Sequence, residues 1–115
     1  MSPARYVVSA LLLLTFATAP HANQCYGTID ALYVDSAGNV LIDPSFRNGW
    51  LQICNAISPW NGIDPVTCKT WIALATTLRV TREQAVVSYS ATIACDALPA
   101  YGAAPGPAYV MYYVP

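Results

Sequence analysis

Four cysteines, Cys25, Cys54, Cys68 and Cys95, constrain this chain more than any other feature. Their number is even and their spacing wide. A four-cysteine metal site ordinarily draws its ligands from close C-x2-C pairs, which this chain lacks. The reading that fits is two disulfides formed in an oxidising compartment. The first 22 residues agree with it. Arg5 supplies a basic start, Val7, Val8 and Leu11 to Leu14 an apolar run, and Ala17, Ala19 and Ala22 the small residues of a cleavage region. This is the pattern of a secretory signal peptide; Pro20 disfavours cutting after Ala19 and leaves Ala17 or Ala22, of which Ala22 is the expected end. Its apolar run of about ten residues falls short of the ~20 that cross a bilayer. Residues 23–115 are therefore expected as one secreted domain, periplasmic or extracellular, with no membrane span.

The 115 residues are 56% hydrophobic and only 10% charged, a balance that buries a core and excludes a disordered chain. Residues 23–115 carry Arg47, Lys69, Arg79 and Arg82 against Asp30, Asp35, Asp43, Asp64, Glu83 and Asp96, four minus six, a formal charge of −2. Four cations cannot build a phosphate-neutralising face, so nucleic acid is not an expected partner. The single histidine, His21, belongs to the leader. Ser-His-Asp and Cys-His mechanisms and His-based zinc sites are thus closed to the secreted part. The six acids are scattered, mostly at turns and element ends, and do not read as a glycosidase pair. No phosphate loop, nucleophile motif or metal-ligand cluster is present, so the expectation is binding without catalysis, cofactor or metal.

Cys25 to Val34 alternates with Cys25, Gly27, Ile29, Ala31 and Tyr33 on one face, which predicts a strand. Asp35 to Asn39 has turn chemistry, Val40 to Ile42 returns as a second strand, and Trp50 to Cys54 reads as a third. Asp64-Pro65 is a helix start: Asp caps, and Pro suits the first helical position. Cys68, Trp71, Ile72, Ala75 and Leu78 then form one apolar stripe, which makes Trp71 a core residue. Gln84 to Cys95 alternates again as a fourth strand. The Pro/Gly-rich stretch from Leu98 to Pro107 is too full of breakers for a regular element, and Tyr109 to Val114 closes as a fifth strand.

Three strands, a helix and two strands is the element order of an OB-fold, a five-stranded Greek-key barrel with a helix between strands 3 and 4. The strand ending in Cys54, the cysteine at the helix start (Cys68), Trp71 one turn on, Leu74 and Ala75, and the strand Val86-Val87-Ser88-Tyr89 together resemble the B subunits of AB5 toxins, in the subtilase cytotoxin and typhoid toxin group. The likeness covers about half of the expected secreted chain. It implies the OB-fold, a Cys54–Cys68 disulfide, a pentamer and recognition of a glycan or glycoprotein. Those subunits run longer after the helix, and no sugar-contacting residue carries over. The Cys54–Cys68 bridge would close a loop of about 15 residues, worth roughly 3 kcal/mol in the chain-entropy model. If the first and fourth strands pair antiparallel, as in such a barrel, Cys25 and Cys95 meet as the second bridge.

Eight tyrosines and three tryptophans are many for this length. Sugar sites set aromatic rings against the apolar side of a pyranose and amides or carboxylates against its hydroxyls. Trp60, Asn61 and Asp64 have that composition, although the favoured reading is that Trp60 packs under its own loop and Asn61-Gly62 makes the turn, with Asp64 explained as a cap. Tyr109, Tyr112 and Tyr113 cannot share one face of a strand, so either Tyr112 or the other two face outward as a candidate interface. Beside a glycan-binding module, the sequence leaves open a monomeric exported inhibitor or accessory protein that binds a protein, and an envelope structural component.

Overall fold

The computed structural model describes residues 23–114, so the leader and its cleavage site lie outside the described residues. Within them the chain is mainly β with one helix and two disulfides. The elements are β1 (Asn23–Gly27), β2 (Ile29–Val34), β3 (Asn39–Pro44), β4 (Leu51–Asn55), α1 (Pro65–Thr81), β5 (Ala85–Tyr89), a 3-10 turn (Cys95–Ala97) and β6 (Tyr109–Tyr112). They form two three-stranded antiparallel sheets, β1-β5-β6 and β2-β3-β4.

There are thus six strands where five were expected, because the first expected strand divides at Thr28. Around that point the backbone bonds to the chain after β3: Thr28 N–H donates to Ser45 Oγ (2.9 Å) and Ser45 N–H to the Thr28 carbonyl (2.9 Å). The approach requires glycine beforehand, since a Cβ at Gly27 would stand 2.4 Å from Ser45 Oγ. Upstream of the break the chain pairs with β5, downstream with β3. The β2–β3 turn closes as its residues suggest. Asp35 accepts from the Ala37 and Asn39 N–H groups (2.9 Å each), and Gly38 takes the left-handed conformation (φ 84°).

The helix also follows its sequence signals. Asp64 accepts from the Thr67 N–H (2.7 Å), Pro65 opens the first turn, and the N–H of Arg82, in left-handed conformation, closes on the Leu78 carbonyl. Cys68, Trp71, Ala75 and Leu78 are buried in one core with Ile29, Ile42, Ile53, Val87 and Val110. Both sheets therefore turn their inner faces to a shared core that α1 covers. No helix among the described residues is long and apolar enough to cross a membrane.

The fourth expected strand is shorter than its alternation implied. β5 ends at Tyr89, and all five of its residues are buried, although alternation predicts one exposed face. Residues 90–94 leave the sheet, and Cys95 sits in the 3-10 turn. Cys25 and Cys95 do form a disulfide (Cα–Cα 5.7 Å), as do Cys54 and Cys68 (5.4 Å). The first bridge is not made by adjacent strand ends, however: Cys25 lies opposite Val87, and Cys95 returns to it through the 90–94 loop. The Pro/Gly-rich stretch forms no strand, yet it is held. Tyr101 exchanges backbone hydrogen bonds with Trp50 and Gln52 (2.7 and 3.2 Å), a parallel bridge on the edge of β4.

The two bridges differ in accessibility. Cys54 and Cys68 are fully buried, whereas Cys95 is half-buried in an exposed segment. Limiting dithiol followed by alkylation should label Cys25 and Cys95 before Cys54 and Cys68, as read by peptide mass spectrometry; labelling in the reverse order would refute this accessibility argument.

Tyr89 gives a second prediction. Its ring is fully buried, and its hydroxyl has no hydrogen-bond partner among the described residues. Removing an unpaired buried hydroxyl relieves a desolvation cost, so Tyr89→Phe should stabilise the fold by about 1 kcal/mol in chemical denaturation. Burial also holds the phenol above its ordinary value. The folded state therefore keeps a proton that the unfolded chain loses above pH ~10, so stability should fall as pH rises beyond that point. Tyr89→Phe should remove that part of the alkaline loss.

Candidate functional site

Why β5 is buried on both faces leads to the most distinctive surface of the molecule. Its inward residues Ala85, Val87 and Tyr89 belong to the core, and Val86 and Ser88 point the other way. Register sets Tyr26 and Met111 on either side of Val86, and Gln24 and Tyr109 on either side of Ser88. These neighbours close over the central strand, leaving Val86 fully buried and Ser88 2% exposed. Tyr26 and Tyr113 meet edge to face across it, with centroids 5.4 Å apart and planes at 82°.

The polar atoms of this roof are linked. The Tyr26 hydroxyl donates to Gln24 Oε1 (3.0 Å), and Gln24 Nε2 donates to the Tyr109 hydroxyl. A row of two phenols and one amide thus runs over the sheet with its rings open to water: Tyr26 is 45% exposed, Tyr109 36% and Met111 38%. The other sheet is roofed on the same plan. Leu41 of β3 points outward yet is buried beneath Tyr33 and Trp50, whose rings meet at 4.6 Å and 65°. There, however, no hydrogen bond among the described residues links the aromatic pair to an amide.

Of the three C-terminal tyrosines, Tyr109 and Tyr113 lie on the outer face. Tyr112 has the opposite parity, like Val110. Desolvation and then the neighbouring Glu83 carboxylate hold its phenol above the ordinary value. Trp60, Asn61 and Asp64 stand on a different part of the chain. Trp60 and Ile63 exchange backbone hydrogen bonds (3.1 and 2.9 Å) around a two-residue turn with Asn61 and Gly62 in left-handed conformation (φ 47° and 77°). Trp60 is half-buried against the core, and Asn61 Nδ2 donates to the Ala104 carbonyl (3.4 Å). Asp64 is exposed and engaged with Thr67, whose backbone N–H holds its carboxyl below the usual value.

Ser88 and Met111 are members of the outer face that the sequence reading did not single out, and so are Gln24 and Tyr26. The alternation that placed Cys25, Gly27 and Ile29 on one side already put Gln24 and Tyr26 together on the other. What it lacked was the partner strand, which comes from the far end of the chain. Among the described residues no group of three His, Cys, Asp or Glu converges to hold a metal, and no pocket indents the surface. A ligand of this face would lie on an open platform.

The Asp64 cap can be separated from a ligand role. Asp64→Ala should lower the thermal midpoint while Asp64→Asn leaves it nearly unchanged, because Asn caps as well as Asp. Since the folded carboxyl lies below its unfolded value, its contribution is present above pH ~4 and is lost as pH falls further, which acid titration of wild type against Asp64→Asn would display. A comparison of the chain with protein-family models, curated proteins and solved structures found no match, so the outer tyrosine face must be interpreted from its own geometry.

Proposed function

We propose that this chain is an exported, disulfide-stabilised binding module that recognises a glycan through the outer face of the β1-β5-β6 sheet, in the manner of a B subunit of an AB5 toxin. The observation that carries the reading is the Tyr26–Gln24–Tyr109 row. Phenol rings offer apolar faces to the C–H side of a pyranose, while an amide and hydroxyls between them take its hydroxyl groups. The module acts by binding and has no chemistry of its own.

The fold side of the reading is an OB-like barrel. Three features support it: a first strand bent at Thr28 and divided between two sheets, a helix between β4 and β5, and the parallel contact of Tyr101 with the edge of β4. Export is supported by the leader-like start and by two disulfides without free cysteine among the described residues. The B-subunit reading carries a pentamer with it, in which weak single sites gain from avidity.

A second reading, an exported protein that docks on a protein partner, is favoured by Met111, an exposed thioether among tyrosines. Aromatic and Met side chains with few charges are also the composition of protein interfaces.

Light scattering on the oxidised, leader-free protein should give a five-fold mass, and a glycan array should give binding that falls in Gln24→Ala and Tyr109→Phe. A monomer that leaves the whole array empty would sink the B-subunit reading and favour the protein partner.

A further inference from the structure

The outer face of the β2-β3-β4 sheet is built differently from that of β1-β5-β6. Register sets Tyr33, Leu41 and Gln52 in one row across the three strands, and Asp43, opposite Ala31, follows Leu41 on the same face of β3. Over Leu41 the rings of Tyr33 and Trp50 meet at 65° with centroids 4.6 Å apart, so they stand as two walls of a corner. Tyr33 is exposed and Trp50 half-buried, which leaves part of each ring open to water.

Around this corner, acceptors stand without donors. Gln52 is only 5% exposed, and its Nε2 donates to Asn39 Oδ1 (2.8 Å) and to the Cys54 carbonyl (3.3 Å). Both amide protons are thereby committed, while Oε1 accepts no bond among the described residues. Oε1 faces Gly102, where a Cβ would stand 3.1 Å from it. No left-handed φ requires glycine at 102, so the missing side chain serves to keep the approach to that oxygen open. The half-buried Asp43 carboxylate likewise accepts no hydrogen bond and forms no ion pair among the described residues. The cations are committed elsewhere. Arg47 Nε donates to the Leu98 carbonyl (2.7 Å), Arg82 stands 3.8 Å from Asp30, and Lys69 and Arg79 ride on α1.

An ammonium or guanidinium group complements such a corner. The aromatic quadrupole draws it to the ring faces, and because it only donates, unpaired carboxylate and amide oxygens are its partners. The apolar stem of a lysine or arginine lies well on the rings, and the formal charge of −2 on residues 23–115 favours its approach. We infer that the outer face of the β2-β3-β4 sheet docks a basic segment of a partner protein. A lysine or arginine side chain sits against Tyr33 and Trp50 with its charged end on Asp43, and Gln52 Oε1 accepts a further N–H of the same segment. This surface is separate from the Tyr26–Gln24–Tyr109 row, so the inference stands apart from the carbohydrate reading.

The test is to titrate the oxidised, leader-free protein with hexalysine, and with an uncharged glycine-serine peptide of the same length, at low and at high salt. The NMR signals of the Trp50 indole N–H and the Gln52 side-chain amide are followed. Hexalysine should move both signals, with an affinity that falls as salt rises, and the uncharged peptide should move neither. Asp43→Asn should weaken hexalysine about threefold at low salt. Tyr33→Leu, which still covers Leu41 but removes a ring face, should weaken it about threefold to fivefold, whereas Tyr33→Phe should retain it. Gly102→Ala, which fills the approach to Oε1, should abolish the Gln52 shift and leave that of Trp50. Absence of hexalysine binding would overturn the inference. Binding that moves neither signal, or that neither Asp43→Asn nor Tyr33→Leu weakens, is general attraction to an acidic protein and would overturn it too. So would equal binding of the uncharged peptide, or movement of both signals on raising the protein concentration alone, which would assign the face to a second copy of this chain.

Discussion

The close approach of Gly27 and Thr28 to Ser45 is the constraint on which both sheets depend. One extended run of residues would otherwise continue straight and serve a single sheet. Replacing ladder bonds at Thr28 with bonds to Ser45 turns the chain out of one sheet and into the next, and the missing side chain of Gly27 makes room for it. Because both sheets begin from the same run, their inner faces converge on one core. A single helix then suffices to cover it, with Trp71 and Leu78 packed among Ile29, Ile42, Val87 and Val110.

A domain this small has little interior, and its central strands are protected on the outside by their neighbours. Val86 and Leu41 point away from the core and are nevertheless buried, because aromatic side chains from flanking positions reach over them. Covering an apolar residue with a tyrosine has a consequence for function. The ring satisfies the strand beneath it and still presents a face and a hydroxyl to the solvent. On the β1-β5-β6 sheet Gln24 joins two such phenols, so the same side chains that complete the packing also form a platform with open donors and acceptors.

The disulfides join segments that are distant along the chain. Cys54–Cys68 joins the end of β4 to the first turn of α1, while Cys25–Cys95, spanning 70 residues, fastens the irregular segment after β5 to β1. In the chain-entropy model loops of these lengths contribute about 3 and 4 kcal/mol, a large share of the stability of a small domain. The Asn23 amide, donating to the Ile93 carbonyl, fastens the same segment to the same strand.

Local chemistry made much of this legible. The helix from Asp64-Pro65 onward, the Asp35–Asn39 turn and the stripe containing Trp71 follow from caps, φ preferences and periodicity, which act within a few residues. The even cysteine count led to two bridges, and the pairing came out as expected even though Cys95 reaches Cys25 from a loop. Alternation alone could not reveal that β5 ends at Tyr89 or that Val86 and Ser88 are covered, since burial of an outward residue depends on what the next strands place over it. The outer face was illegible for the same reason. Gln24 and Tyr26 lie 85 or more residues from their partners Tyr109 and Tyr113, and only the pairing of β1 and β6 on either side of β5 sets them together. Sequence determined the helix, the turns and roughly where the strands lie, because those preferences are local, while the break at Thr28 and the end of β5 at Tyr89 were not among them. Tertiary structure decided which strands share a sheet and which tyrosines share a face, because those depend on contacts between distant parts of the chain.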